Sequence, residues 1–149
     1  VSEINALIDE HGLKNSVLLT GKVSGDQLIE YYKSADLFIS MSEHEGFCVP
    51  IIEAMWFDIP VLAYASSAVP ETVVDPLCLF DDKSRLQKTA EYANRLLYDQ
   101  SLRDTIISNQ RENRQRFGYV NLKPKYTKVI NQLVQGNSTK PIQMNDEIK

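Results

Sequence analysis

The chain has 149 residues with 43% apolar content, enough for one domain with a real core. A net charge of −4, spread along the chain with no basic block, argues against nucleic acid as a partner. No run of about 18 apolar residues could span a membrane. No secretory leader pattern opens the chain, and Cys48 and Cys78 are isolated thiols without metal spacing that fit a reducing cytoplasm.

Ser2 to His11 reads as a helix with Ile4, Leu7 and Ile8 on one side and Gly12 as its stop. Val17-Leu18-Leu19-Thr20 reads as a short buried strand, and residues 21–25 as the loop after it. Ser24-Gly25-Asp26-Gln27 has capping-box spacing and opens a helix to about Lys33, with Leu28, Ile29 and Tyr32 as its buried face. Ala35 to Ser40 is a second buried strand. Gly46 relaxes the loop that follows, and Pro50 suits the first turn of a helix continuing through Ile51, Ile52, Ala54, Met55 and Trp56. Trp56 and Phe57 are expected to pack on the sheet. Asp58 stands where that helix must stop, a position favouring left-handed backbone.

Pro60 introduces the strand Val61-Leu62-Ala63-Tyr64, residues 65–69 form a small-residue loop, and Pro70 to Val74 reads as a short helix. Leu77-Cys78-Leu79-Phe80 is the last strand. Asp82 caps a helix from Lys83 to about Tyr98. Ser101 and Asp104 open another to about Phe117, and Pro124 opens a final one through Val129, Ile130, Leu133 and Val134. Residues 1–135 thus form the folded domain, and 136–149 read as a disordered polar tail. There is no internal repeat. Strands alternating with helices indicate an α/β domain with a parallel sheet flanked by helices and a helical C-terminal segment.

In such sheets ligands bind outside the carboxyl ends of the strands. Three loops are expected at that edge: 21–25, 41–49 and 65–69. Ser66, Ser67 and Ala68 in the third either admit a ligand closely or make a tight connection. The helix starting after Cys48 offers unpaired N–H groups and a positive dipole end, a ready phosphate site. Glu45 lies in the loop before it, and Glu53, about one turn into the helix, leans back toward that loop. Carboxylates accept hydrogen bonds only, so they repel phosphate but hold hydroxyls. Amides flanked by acceptors suit a phosphorylated sugar such as a nucleotide-sugar. Acidic residues near a helix start are also common simply because they stabilise the dipole.

Glu45-Gly46-Phe47-Cys48-Val49-Pro50-Ile51-Ile52-Glu53 resembles the E-x7-E signature of retaining nucleotide-sugar glycosyltransferases of the GT-B fold. Four further segments agree with the family in the same order: residues 17–23, 31–39, 59–63 and 69–73. The resemblance spans roughly residues 4 to 135. It implies a Rossmann-like, partial GT-B C-terminal domain that binds the donor. By this resemblance Glu53 holds the ribose hydroxyls, and Glu45 contacts the donor sugar as the catalytic carboxylate. Gly46, Phe47, Cys48 and Val49 meet the diphosphate and sugar, and Gly21, Lys22 and Val23 lie near the base. The implied reaction moves a hexose from a nucleotide diphosphate sugar to the hydroxyl of a saccharide or lipid-linked acceptor, with retention. No metal or other cofactor is implied. The usual setting is bacterial polysaccharide or glycolipid synthesis in the cytoplasm, or peripherally at the inner face of the membrane.

The chain also departs from the family. Ser67-Ala68 stand where Gly-Gly is common, which narrows the loop near the hexose. Nothing before Val17 matches the family's Gly-Arg and Lys, which neutralise the diphosphate, and the partner domain with acceptor contacts is absent. Val1 enters the family's domain partway, and in the family's strand order the Val17 and Leu37 strands are not neighbours. The expectation is therefore an excerpt of a longer enzyme, inactive alone, with an N-terminal GT-B domain as its missing partner. The alternatives are a non-catalytic nucleotide-sugar binding module or one half of a split enzyme. A Cys48 nucleophile with His44 as base is a minor alternative. Arg111, Arg114 and Arg116 are expected to form a solvated face, or less readily a patch for anionic lipid.

Overall fold

A computed structural model describes residues 2–134. The predicted polar tail lies outside the described residues. The chain divides into two compact units between Tyr31 and Tyr32.

In the first unit, helix α1 (Ser2–Glu10) ends as its sequence predicts. Gly12 takes φ +66°. Its N–H donates to the Asp9 carbonyl at 3.1 Å and that of Leu13 to Ile8 at 2.8 Å, the paired bonds of a Schellman stop. Helix α2 (Gly25–Ser34) begins with the expected capping box. The Ser24 N–H donates to Gln27 Oε1 at 2.9 Å, and the Gln27 N–H donates to Ser24 Oγ at 3.3 Å. The strand expected over 17–20 does not form. Its residues find no ladder partner among the described residues, and Leu18 is 72% exposed. Leu28 and Ile29 are likewise exposed, and of the three residues expected on the buried face of α2 only Tyr32, half-buried, packs against the core.

The second unit holds a three-stranded parallel sheet in the order β1 (Phe38–Ser40), β2 (Val61–Tyr64), β3 (Leu79–Phe80). Ile39 pairs with Leu62 and Ala63 with Leu79. Central β2 is an unbroken apolar run, Val61, Leu62 and Ala63, all buried, as a parallel strand covered on both faces should be. Helices α3 (Val49–Trp56), α4 (Val69–Val73), α5 (Leu86–Tyr98) and α6 (Gln100–Asn113) supply the rest of the core through Ile51, Met55, Val69, Leu96 and Ile106. The buried Gln110 of α6 ties that layer to the sheet. Its Oε1 accepts from the Val61 N–H at 2.9 Å, and its Nε2 donates to the Ile59 carbonyl at 2.8 Å. These are backbone groups at the strand entry that would otherwise be buried without partners.

Several boundaries move for local reasons. Leu77 and Cys78 fall in a 3-10 turn (Pro76–Cys78) rather than in the last strand, because the Asp75 carboxylate accepts from the Leu77 N–H at 2.9 Å. Asp82 caps as expected, but over a 3-10 turn (Lys83–Arg85) that precedes α5. Helix α6 is capped by Asp99, which accepts from the Leu102 N–H at 3.1 Å, not by Ser101. The last helix, α7 (Tyr119–Val134), begins one turn before Pro124. The proline costs only the bond to the carbonyl of Val120, an exposed residue that water can reach.

Asp58 does adopt left-handed backbone, at φ +57°. Its carboxylate explains why a non-glycine is kept there: Arg111 grips both oxygens at 2.9 and 2.8 Å, and Arg114 Nη1 donates at 2.7 Å. Arg114 is therefore not part of a solvated face, while Arg111 stays exposed though paired. Arg114 also donates to the Met55 carbonyl and lies 4.7 Å from the Trp56 ring centre. The expectation that Trp56 and Phe57 pack on the sheet is corrected too. Both are partly exposed, Trp56 under Arg114 and Phe57 stacked on Tyr32.

Candidate functional site

Because the sheet is parallel, the segments leaving β1, β2 and β3 emerge at one edge. Residues 41–48, 65–68 and Lys83 meet there. The motif loop is fastened through its carbonyl groups. Lys83 Nζ donates to the Met41 carbonyl at 2.6 Å, Ser66 Oγ to Ser42 at 2.8 Å and Ser67 Oγ to Glu43 at 3.4 Å. The Ala68 N–H reaches the Glu45 carbonyl at 3.4 Å, and Thr72 Oγ1 reaches that of Phe47 at 3.0 Å. The small residues of the 65–68 loop thus act as a set of donors to the motif loop.

The described peptide bonds are all trans, so each carbonyl opposes the N–H of the next residue. Anchoring the carbonyls of Ser42, Glu43, Glu45 and Phe47 on one side turns the N–H groups of Glu43, His44, Gly46 and Cys48 to the other. Those N–H groups point away from the donors that hold the carbonyls before them. Lys83 reinforces the loop: its ammonium also meets the Glu43 carboxylate at 3.0 Å and sits 4.4 Å from the Tyr64 ring centre. The pairing with Lys83 lowers the Glu43 carboxyl below its ordinary value.

The unusual backbone of the loop is not at the glycine. Gly46 has no positive φ and a Cβ there would meet open space, whereas Cys48 takes φ +58° as the residue before α3. Nothing in the local sequence signals this. No side chain caps the start of α3, whose Pro50 lacks an N–H in any case. The Cys48 thiol is buried beside Glu45 and Ser40, and burial, with Glu45 adding to it, raises its pKa. Such a thiol is a poor nucleophile, and His44 is found beside Glu43 rather than as its base. Burial pushes the Cys78 thiol up to about 12, so it too is inert.

Glu53 is half-buried just past the first turn of α3 and accepts from the Tyr32 hydroxyl at 2.9 Å. Glu45 and Glu53 are linked through neighbours: Cys48 touches Glu45 and lies close enough to Tyr32 to affect its ionisation. Glu45 thus lies against Cys48, and Glu53 sits on the helix that starts after Cys48, held by Tyr32. Phe47 is partly exposed and meets Phe117 edge-on at 5.4 Å. Gly21, Lys22 and Val23 lie in the first unit, in the segment leading to α2, with Gly21 left-handed at φ +59° and Val23 half-buried. Tyr32, Thr72 and Lys83 were not foreseen as parts of the site. For Tyr32, its place in the segment 31–39 preceding the motif was the available signal.

Among the described residues, no cluster of three or more His, Cys, Asp or Glu could hold a metal, and no helix is long and apolar enough to cross a membrane. A family model described as glycosyl transferases group 1 matches residues 1–113. A sucrose-phosphate synthase from Thermosynechococcus elongatus shares the fold with a TM-score of 0.78 and 27% identity, over 90% of this chain and 34% of that one. Among curated proteins, a D-inositol 3-phosphate glycosyltransferase from Xylanimonas cellulosilytica is 29% identical over 80% of this chain and 29% of its own length. The sulfoquinovosyl transferase SQD2 of Arabidopsis thaliana is 26% identical over 68% of this chain and 21% of its own. The chain thus spans only a fifth to a third of the length of these relatives.

Proposed function

The chain belongs to the glycosyl transferases group 1 family, and from that premise we propose that residues 38–80 bind the nucleotide diphosphate sugar donor of a retaining hexosyltransferase. The observation that carries this reading is the motif loop, whose carbonyls are held from one side so that its amides face the other. The amides of Gly46 and Cys48 receive the diphosphate, Glu53 the ribose hydroxyls, and Glu45 the donor sugar. Phe47 and Val49 border the same ligand.

The chemistry follows from charge. As the bond from the anomeric carbon to the diphosphate oxygen breaks, negative charge grows on the leaving group. Donors already aimed at that oxygen stabilise it without reorganising. The acceptor hydroxyl forms the new bond on the same face and gives its proton to the departing diphosphate oxygen, where negative charge has grown. Glu45, close to the sugar, stabilises the positive charge that develops on the ring. No metal is assigned a part, and the diphosphate charge beyond what these amides neutralise calls for cations elsewhere. Relatives named as glycosyltransferases, among them one for inositol phosphate, support transfer to an acceptor hydroxyl; the proposed setting is a saccharide or lipid-linked acceptor in polysaccharide or glycolipid synthesis on the cytoplasmic side. Turnover is proposed to need more protein than these 149 residues, in particular an N-terminal GT-B domain. Sugar transfer by the purified chain alone would overturn that point.

Titration calorimetry with UDP and GDP tests the binding role. Glu53→Ala should weaken the better ligand by about tenfold or more, the loss expected for hydrogen bonds to a charged group. Unchanged affinity in that variant would remove the ribose assignment.

A further inference from the structure

We infer that Tyr32 is a positioning residue, one that fixes the Glu53 carboxylate for a ribose diol and so sets a preference for ribonucleotides; this rests on the nucleotide-sugar reading above. The Tyr32 hydroxyl donates to Glu53 Oε2 at 2.9 Å. Its ring stacks on Phe57, with centroids 5.2 Å apart and planes 9° from parallel. The same hydroxyl lies 3.4 Å from the Pro50 carbonyl, in the first turn of the helix that carries Glu53. The phenol is thus held by its ring and by its oxygen, and the carboxylate is held by the phenol.

A glutamate has three side-chain torsions, and on an exposed helix turn it samples many of them. Ordering it only when ligand arrives would cost binding free energy. Tying Oε2 beforehand removes that cost and leaves the other oxygen as the acceptor for a ligand hydroxyl. Burial first, and then the bond to Glu53, raises the phenol well above its ordinary value. It therefore stays a protonated donor throughout the working pH range. Phe57 is the residue after α3, so one short helix carries the carboxylate in its middle and the ring that steadies the tyrosine at its end.

The test compares UDP and GDP with their 2′,3′-dideoxy analogues by calorimetry, in the wild-type chain, Tyr32→Phe, Glu53→Ala and the double variant. Tyr32→Phe keeps the ring on Phe57, and circular dichroism checks that it folds. The wild type should favour the ribonucleotide by about tenfold or more, the worth of one hydrogen bond to a charged group. Tyr32→Phe should hold the dideoxy affinity and shrink the preference to about threefold or less, since Glu53 remains but is no longer held. In the Glu53→Ala background it should change nothing. A Tyr32→Phe variant that retains the full preference, or that weakens both ligands equally, would overturn the positioning role while leaving the donor-site reading intact. A wild type that binds neither nucleotide, or binds without preference for the ribose, would defeat the donor-site reading itself and the role of Tyr32 with it.

Discussion

Two short apolar runs in this chain look alike and end differently. Val61-Leu62-Ala63 becomes the central strand, fully buried, while Val17-Leu18-Leu19 becomes exposed irregular backbone. Both have the composition of a parallel strand. The difference is supply of neighbours: β2 has a strand on each side, helices on its faces and the Gln110 amide on its leading peptide groups. The 17–20 run has no ladder partner among the described residues. A β-strand is a relation between segments, and a local pattern states only the capacity for one.

That contrast can be broken by paired truncations. Leu62→Ala should cost about 3 kcal/mol in urea unfolding, the usual range for emptying a packed site, and Leu18→Ala less than about 0.5 kcal/mol. Equal effects would mean that the 17–20 run is buried in solution. Next in size is Gln110→Ala, which strips partners from two buried backbone groups and should cost about 2 kcal/mol in the same melt. No signal in the sequence pointed to Gln110, since a glutamine on an amphipathic helix is most often solvated.

A smaller, pH-dependent effect attaches to Asp58. The hydrogen bond from Arg111, aided by the charge of Arg114, lowers its carboxyl below the ordinary value. Stability from this group is therefore present above about pH 4, the unfolded value, and is lost as pH falls through the lower folded value. Asp58→Asn should be less stable than wild type at neutral pH and converge with it in acid. The carboxylate is partly exposed, so salt should also shrink the difference. A constant gap at all pH values would contradict the ion-pair account. The smallest effect is expected at Gly46: with ordinary φ and open space around it, Gly46→Ala should leave stability within about 0.5 kcal/mol. A large loss would show that the backbone does need glycine there.

Much of the fold was legible where its signals are local. The capping box at Ser24, the left-handed stop at Asp58 and proline at the start of α3 follow from which backbone groups a helix end leaves unpaired. The order of β1, α3, β2 and α4 follows from alternation of apolar runs and turns. What escaped notice depends on partners distant in sequence. The fastening of Phe47 by Thr72, of Met41 by Lys83 and of Glu53 by Tyr32 joins residues separated by 25, 42 and 21 positions. Cys48, not Gly46, carries the positive φ because the loop is held from outside, and no residue preference predicts a strain imposed from elsewhere.

The account turns on whether the row of amides in the motif loop faces a diphosphate. Backbone N–H chemical shifts followed during titration with UDP and GDP test this most directly. The predicted result is that Gly46 and Cys48 move most, with Glu43 and His44 moving less and the anchoring donors Ser66 and Thr72 nearly still. Saturable binding that shifts amides elsewhere while Gly46 and Cys48 stay fixed would contradict it.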